Sequence, residues 1–146
     1  MTQEFRQIVE GVYASPQIGL AEVELARAMG VSLIVNNRPE GESPDQVPGA
    51  EIEAAARAAG IGYIAIPVTH AGFSEPQVQA MAAALEGASG PVLAYCRSGT
   101  RSTLLWALAE ASKGADPDEL AAAAARAGYD VSPIRTLIDM LAARAA

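Results

Sequence analysis

Short apolar runs alternate with segments of helical periodicity along most of this chain. The runs read as buried strands bounded by glycine, proline or polar residues: SLIVN (32–36), YIAIPV (63–68) and PVLAY (91–95). Segments with helical spacing and a terminal glycine lie between them: LAEVELARAMG (20–30), AEIEAAARAAG (50–60) and SEPQVQAMAAALEG (74–87). This alternation predicts an α/β fold with a mostly parallel central sheet that is flanked by helices on both faces.

Both ends of the chain extend this pattern. FRQIV (5–9) and VYASPQI (12–18) predict an opening pair of strands joined at Glu10 and Gly11. Three more helices are predicted after the last strand, over STLLWALAEAS (102–112), DPDELAAAAARAG (116–128) and SPIRTLIDMLAARA (132–145). At 146 residues and 15.0 kDa, the chain is predicted to form one domain, residues 1–146, with extra C-terminal helices.

The charge and the composition exclude several classes of function. A net charge of −7 and a pI near 4.6 disfavour nucleic acid and anionic membranes as partners. No apolar run reaches the roughly 20 residues that a transmembrane helix needs. One cysteine and one histidine leave no multi-cysteine or multi-histidine metal site, so we expect neither a metal nor another cofactor. The N-terminus lacks a signal peptide, and we expect a cytoplasmic protein with a reduced thiol.

The only cysteine lies in YCRSGTRS (95–102), between a predicted strand and a predicted helix. In parallel sheets, ligands bind where the carboxyl ends of strands meet the amino ends of helices. The loops 36–38, 69–73 and 96–101 all fit that description. Backbone N–H groups and the helix amino end would stabilise negative charge on Cys96, which predicts a nucleophilic thiolate in an anion-binding loop. The alternative is an inert, buried cysteine.

Several other residues of these loops are candidates for the site. Arg101 or Arg97 would attract an anion, and the rest of the predicted anion-binding loop is Ser98, Gly99, Thr100 and Ser102. Ser102 is predicted to cap the following helix. Arg38 follows a strand and either points at the same anion or is a solvated loop arginine. Glu40, Glu42 and Asp45 are predicted to be solvated side chains of an acidic loop.

Several segments resemble a known bacterial family. FRQI, VYASPQI, VNNRPEGE, AGFSEPQVQAMAAAL and VLAYCRSGTRS are similar to the phosphatase-like domain that occurs alone or at the N-terminus of β-lactamase-hydrolase-like proteins. Related sequences are often labelled as sulfur transferases, and the family is similar in fold to dual-specificity and tyrosine phosphatases. The resemblance implies that fold here, and it also implies that Ser15 and Gln17 lie near the pocket.

The loop departs from the phosphatase signature in two ways. That signature is H-C-x5-R, whereas here Cys96 to Arg101 spans six residues and Tyr95 replaces the histidine. C-x4-R is instead similar to the active loop of rhodaneses, in which CRSG-x-RS is a common form. A six-residue loop encloses less space than a seven-residue loop and suits a terminal sulfur better than a phosphoryl group. The rest of the chain lacks the rhodanese pattern.

A second departure concerns the general acid. Phosphatases of this fold place an aspartate on the loop that corresponds to PVTHAGFSE (67–75), where this chain has His70. His70 could donate a proton near neutral pH, or it could be an ordinary loop histidine. Sulfur transfer from thiosulfate needs no such acid, because sulfite leaves as a stable anion. The missing aspartate therefore favours sulfur chemistry.

Three functions remain open from the sequence. The leading hypothesis is a sulfurtransferase that moves sulfur from thiosulfate or a persulfide to a thiol acceptor through a Cys96 persulfide. The alternative is a phosphatase that hydrolyses phosphate monoesters through a phosphocysteine, with Arg101 holding the phosphoryl oxygens and His70 as acid. The third is a non-catalytic anion or persulfide sensor. A small anionic substrate is expected in each case, and the resemblance adds a sulfide-oxidising enzyme as a possible partner.

Overall fold

The structure is a computed structural model that describes residues 5–145. Its strands are β1 (Arg6–Val9), β2 (Val12–Ser15), β3 (Leu33–Asn36), β4 (Gly62–Ala65) and β5 (Val92–Tyr95). Its helices are α1 (Leu20–Ala28), α2 (Gly49–Ala58), α3 (Glu75–Gly87), α4 (Thr100–Ser112), α5 (Pro117–Arg126) and α6 (Arg135–Ala145). A short 3-10 turn at Ser132–Ile134 leads into α6.

The five strands form one sheet in the order β1-β2-β5-β3-β4. β1 and β2 form the predicted opening pair and run antiparallel, and β2, β5, β3 and β4 run parallel to one another. β5 is therefore the central strand, and the loop that follows it lies beside the loop that follows β3. The predicted α/β fold with a mostly parallel sheet is confirmed.

Helices cover both faces of this sheet. Alternate residues of the central strands point to opposite sides, as the pleat of a strand requires. Ile34 and Leu93 belong to the apolar cluster that includes α1 and α2, whereas Val35, Val92 and Ala94 belong to the cluster of α3 to α6. Helix α4 is the centre of the second layer, since it packs against α3, α5 and α6. This packing fixes the amino end of α4 at the carboxyl end of β5.

The segment YIAIPV was predicted to form a buried strand, and the observed strand β4 differs from that prediction. It lies at the edge of the sheet, and the side chain of Ile64 is 37% exposed. The regular strand ends at Ala65, although the amides of Ile66 and Val68 still donate to the carbonyl oxygens of Asn36 and Asn37, at 2.8 and 3.0 Å. An apolar run predicts a strand, but its place in the sheet depends on the other strands.

The start of α4 also differs from the prediction. The helix begins at Thr100 after Gly99, whose φ of +95° places it in the left-handed region. Ser102 was predicted to be the cap, but it lies in the first turn, where its hydroxyl donates to the side-chain oxygen of Asn37 at 2.8 Å. A glycine that accepts this backbone conformation lets the helix start two residues earlier. Helix α5, by contrast, has a side-chain cap, since the Asp116 side chain accepts from the amide of Asp118.

Candidate functional site

The loops that follow β3, β4 and β5 meet at the carboxyl ends of these parallel strands, as the sequence predicted. They enclose a cleft of about 350 Å³. Its lining residues are Pro39, Glu42, Thr69, His70, Arg97 and Arg101. Each of the three loops contributes at least one of these side chains, so the cleft depends on the strand order β5-β3-β4.

Cys96 lies directly behind this cleft, at the first position after β5. The backbone amide of Gly99 donates to its Sγ at 3.1 Å. The side chain is 0% exposed and does not itself line the cleft. A sulfur that accepts an amide at the amino end of a helix is in a favourable position to carry negative charge. Because the thiol is covered, a reagent reaches it only when neighbouring side chains move.

Gly99 allows the loop to turn tightly over this sulfur. A Cβ at this position would collide with the hydroxyl of Tyr129 and lie 3.3 Å from the backbone carbon of Ser15. Tyr129 also donates to the carbonyl oxygen of Ser98, at 3.3 Å. The Cys96 loop is therefore packed between β2 on one side and the segment after α5 on the other.

Arg101 is the arginine beside the thiol. Its Nη1 donates to Glu42 at 2.7 Å and to the carbonyl oxygen of Val68 at 2.6 Å, while its Nη2 donates to Glu42 at 2.9 Å. These bonds with Glu42, and to a smaller extent the negative charge of an ionised Cys96, raise the pKa of Arg101. The sequence left open which arginine faces Cys96, and the contacts identify Arg101.

Glu42 is the residue that the sequence analysis missed. It was assigned to a solvated acidic loop, but its carboxylate binds Arg101 on one side and the Nε of Arg38 on the other, at 2.9 Å from the latter. The hydrogen bond from Arg101 is the main cause that lowers the pKa of Glu42 to about 2. Glu42 is therefore ionised at neutral pH. The spacing of four residues between Arg38 and Glu42 was the one local signal available.

Arg38 and Gln17 are adjacent to the cleft without lining it. Arg38 is 5% exposed, so it is not a solvated loop arginine. Its guanidinium donates to Gln17 at 3.0 Å and to Ser43 at 3.2 Å, in addition to Glu42. Gln17 in turn donates its backbone amide to the carbonyl oxygen of Arg97. The Arg38 side chain thus holds Glu42 in place, and the backbone of Gln17 is hydrogen-bonded to the Cys96 loop.

The remaining residues of the predicted anion-binding loop differ in how far they are exposed to solvent. Arg97 is exposed and lines the cleft. The hydroxyl of Ser98 donates to that of Thr100 at 3.0 Å, on the exposed side of the loop. Ser102 is buried and binds Asn37, so its side chain stabilises the junction of β3 and α4.

His70 lies on the loop after β4 and lines the cleft with an exposed side chain. Among residues 5–145, no hydrogen bond to its imidazole is found.

Tyr95 occupies the position of the histidine in the phosphatase signature. Its side chain lies on the face of the sheet that α1 and α2 cover, and it packs in their apolar cluster. Burial raises the pKa of Tyr95, which therefore stays neutral.

A comparison with known families identifies the family of this chain. Residues 4–113 match the model of the family described as "Beta-lactamase hydrolase-like protein, phosphatase-like domain". The chain belongs to this phosphatase-like domain family. A curated relative, the β-lactamase hydrolase-like protein of Xylella fastidiosa, is 39% identical over 112 residues, which are 75% of this chain and 26% of the relative. The phosphatase-like domain thus spans about a quarter of the length of the curated relatives it matches.

Solved structures confirm the fold. A candidate phosphatase from Neisseria meningitidis is 33% identical and has a TM-score of 0.84, with 96% of this chain and 99% of that chain covered. The structure of Tk-PTP has a TM-score of 0.74 at 17% identity, with 97% and 95% covered. The phosphatase-like domain therefore has the fold of these phosphatase-like structures. Within residues 5–145, none of its helices combines the length and the apolar character that crossing a bilayer requires.

Proposed function

We propose that this phosphatase-like domain is a sulfurtransferase that works through a persulfide on Cys96. The Cys96 thiolate attacks the outer sulfur of thiosulfate, so that a sulfur–sulfur bond forms to the enzyme and sulfite leaves with the electron pair of the broken bond. An acceptor nucleophile such as cyanide or a thiolate then takes the terminal sulfur and regenerates the thiolate. The Gly99 amide and the Arg101 guanidinium are placed to stabilise the sulfur anion in both states.

The main support for this proposal is that the Glu42 carboxyl group is ionised. Among the residues that the structure describes, Glu42 is the one carboxyl group that lines the cleft, and its pKa of about 2 keeps it ionised. An ionised carboxylate donates no proton, so a substrate whose leaving group requires protonation has no carboxylic acid here. Sulfite leaves without a proton. The six-residue spacing from Cys96 to Arg101 supports the same chemistry.

The decisive experiment supplies thiosulfate and cyanide and measures thiocyanate. We expect turnover in the wild type and none in Cys96→Ser. After thiosulfate alone, the intact mass should rise by one sulfur atom on Cys96, and cyanide should remove it. Absence of both thiocyanate and the added mass would reject sulfur transfer from thiosulfate. Binding of the anion without turnover of any donor would instead favour a sensor.

Phosphate-monoester hydrolysis is the second candidate. It is favoured by the similarity over nearly the whole chain to a candidate phosphatase, and by His70, whose exposed imidazole lines the same cleft. In this alternative, Arg101 holds the phosphoryl oxygens and His70 protonates the leaving oxygen. Alkyl phosphates, which need that proton, should then be hydrolysed, and His70→Ala should slow the reaction at least about tenfold. Sulfur transfer should be nearly unchanged by the same substitution.

We also propose a sulfide-oxidising enzyme as the partner class. Transfer of the terminal sulfur from Cys96 to a small thiol forms a reactive persulfide on that thiol and releases the Cys96 thiolate, and a sulfide-oxidising enzyme that accepts this persulfide would consume it. The curated relatives contain a matching domain as about a quarter of a longer chain, which leaves room in them for a second activity. Pull-down of such an enzyme by the wild-type domain, together with faster consumption of the persulfide, would test this pairing.

A further inference from the structure

One peptide group of the Cys96 loop is hydrogen-bonded at both of its ends. Its N–H is the amide of Gly99, which donates to the Sγ of Cys96 at 3.1 Å. Its carbonyl oxygen is that of Ser98, which accepts from the hydroxyl of Tyr129 at 3.3 Å. Two hydrogen bonds, joined by one peptide group, therefore connect the Tyr129 hydroxyl to the sulfur of the candidate nucleophile.

Tyr129 reaches this loop from a distant part of the chain. It follows α5, and it lies beyond residues 4–113, which match the family model. The residue is buried, and the Arg6 guanidinium of β1 lies 5.6 Å from the centroid of its ring, within the range of a cation–π contact. Arg6 also donates to the carbonyl oxygen of Ala127 at 3.1 Å. The ring is thus held from the side of β1 while its hydroxyl contacts the Cys96 loop.

The bond from Tyr129 acts on the peptide group in two ways. A hydrogen bond to a carbonyl oxygen polarises the peptide group and strengthens the bond that its N–H donates. It also fixes the plane of a peptide that ends at Gly99, and a glycine has little steric resistance to rotation of that plane. Both effects favour a short, well-directed hydrogen bond from the Gly99 amide to the sulfur.

We infer that Tyr129 is a positioning residue, whose hydroxyl orients and polarises the Ser98–Gly99 peptide group so that its N–H stabilises the Cys96 thiolate. This inference rests on the proposed function only in that Cys96 is the nucleophile. Arg101, which is hydrogen-bonded to Glu42, is a charged group beside the same sulfur. Arg101 acts on the thiolate as a full charge, whereas Tyr129 acts through a neutral peptide dipole.

The test follows the ionisation of Cys96 in Tyr129→Phe and in the wild type. Cys96 is the only cysteine, so its ¹³Cβ resonance can be labelled selectively and measured against pH. The midpoint should lie about 0.3–0.5 pH unit higher in Tyr129→Phe, which is about two- to threefold in the ionisation constant, because the sulfur anion loses a polarised donor. The Gly99 amide proton should move upfield in the same variant.

Tyr13→Phe is the matched control for this measurement. It removes the same hydroxyl from a tyrosine that packs against the apolar cluster of α1 and α2, on the other face of the sheet. Its Cys96 midpoint should equal that of the wild type. An unchanged midpoint in Tyr129→Phe, or an equal shift in both variants, would overturn the inference.

Turnover gives a second readout that a loss of packing does not imitate. The kcat/KM of Tyr129→Phe for thiosulfate should be about two- to threefold below the wild-type value at pH values well below the midpoint. The two values should converge above the midpoint, where Cys96 is ionised in both proteins. A reduction of the same size at every pH would indicate a purely structural role and would overturn the inference.

The titration requires no turnover, so this inference and the sulfurtransferase proposal can fail separately. A shifted midpoint with no thiocyanate from any variant would retain the role of Tyr129 and reject sulfur transfer. A measurement on the wild type covers the case of an unfolded variant. At pH values where tyrosine stays neutral, the ¹³Cζ resonance of Tyr129 should follow the ionisation of Cys96, and that of Tyr13 should not. A Tyr129 resonance that does not respond would also overturn the inference.

Discussion

The carboxylate of Glu42 binds the guanidinium of Arg101 through hydrogen bonds of 2.7 and 2.9 Å, although the two residues are 59 positions apart in the chain. This pair joins the loop after β3 to the first turn of α4. It therefore links the mouth of the cleft to the helix whose amino end faces Cys96.

The first prediction concerns stability at acid pH. The pKa of Glu42 is lowered from 4.5 to about 2 in the folded protein, so its stabilising effect is complete above pH 4.5 and is lost as the pH falls to about 2. We expect Glu42→Gln to lower the free energy of unfolding by on the order of 2 kcal/mol near neutral pH, with allowance for solvent screening. Urea unfolding of both proteins between about pH 6 and pH 3 measures this. The gap between them should narrow toward acid pH, and a constant gap would contradict the assignment.

The second prediction concerns the fork geometry of Arg101. Arg101→Lys keeps the positive charge but replaces a planar group that binds Glu42 twice with a single ammonium. We expect kcat/KM for thiosulfate to fall about tenfold to a hundredfold, as for the loss of one oriented donor at a reacting anion. Arg97→Lys is the control, because Arg97 lines the same cleft with an exposed side chain. Wild-type activity in Arg101→Lys would mean that positive charge alone matters, and a similar loss in both variants would contradict a specific role for the Arg101 guanidinium.

The third prediction separates backbone strain from steric conflict at Gly99. Gly99 and Gly11 both have positive φ values, +95° and +84°, but a Cβ at Gly11 has no atom within 4 Å, whereas one at Gly99 collides with Tyr129. Gly11→Ala should lower the free energy of unfolding by about 1 kcal/mol through backbone strain alone. Gly99→Ala should cost at least about 2 kcal/mol more and should reduce thiocyanate formation. Equal losses of stability would contradict the close packing around Gly99.

The fourth prediction concerns the bond between Ser102 and Asn37. Both side chains are buried, so Ser102→Ala leaves the side-chain oxygen of Asn37 without its donor. We expect a loss of about 1–2 kcal/mol in the free energy of unfolding. Ser98→Ala, at an exposed position in the same loop, should cost less than about 0.5 kcal/mol. Denaturant unfolding of the two variants gives the comparison.

Local patterns were sufficient to predict most of the fold. Apolar runs and segments of helical spacing predicted five strands and six helices in their observed order, because these signals come from neighbouring residues. The edge position of β4 was not predictable in this way. A strand is buried or half-exposed according to which strands pair with it, and the segment around Ile64 carries no information about that order.

The same distinction holds for the candidate site. Cys96, Arg97, Arg101 and His70 were identified from the loops that follow strands, and the structure brings them to one cleft, with Cys96 directly behind its lining. Glu42 was missed because its main partner is distant in sequence, and an acidic, proline-rich loop resembles solvated chain. The predicted cap role of Ser102 was wrong because Gly99 starts the helix earlier.

The complete burial of Cys96 has a consequence for the resistance of the protein to oxidation. Peroxide oxidises a thiolate in steps to sulfenic, sulfinic and sulfonic acid, and the last step is irreversible. Each step requires the oxidant to reach the sulfur, which here has no surface open to solvent. A nucleophile shielded in this way between catalytic cycles would resist oxidative damage without a second cysteine to repair it.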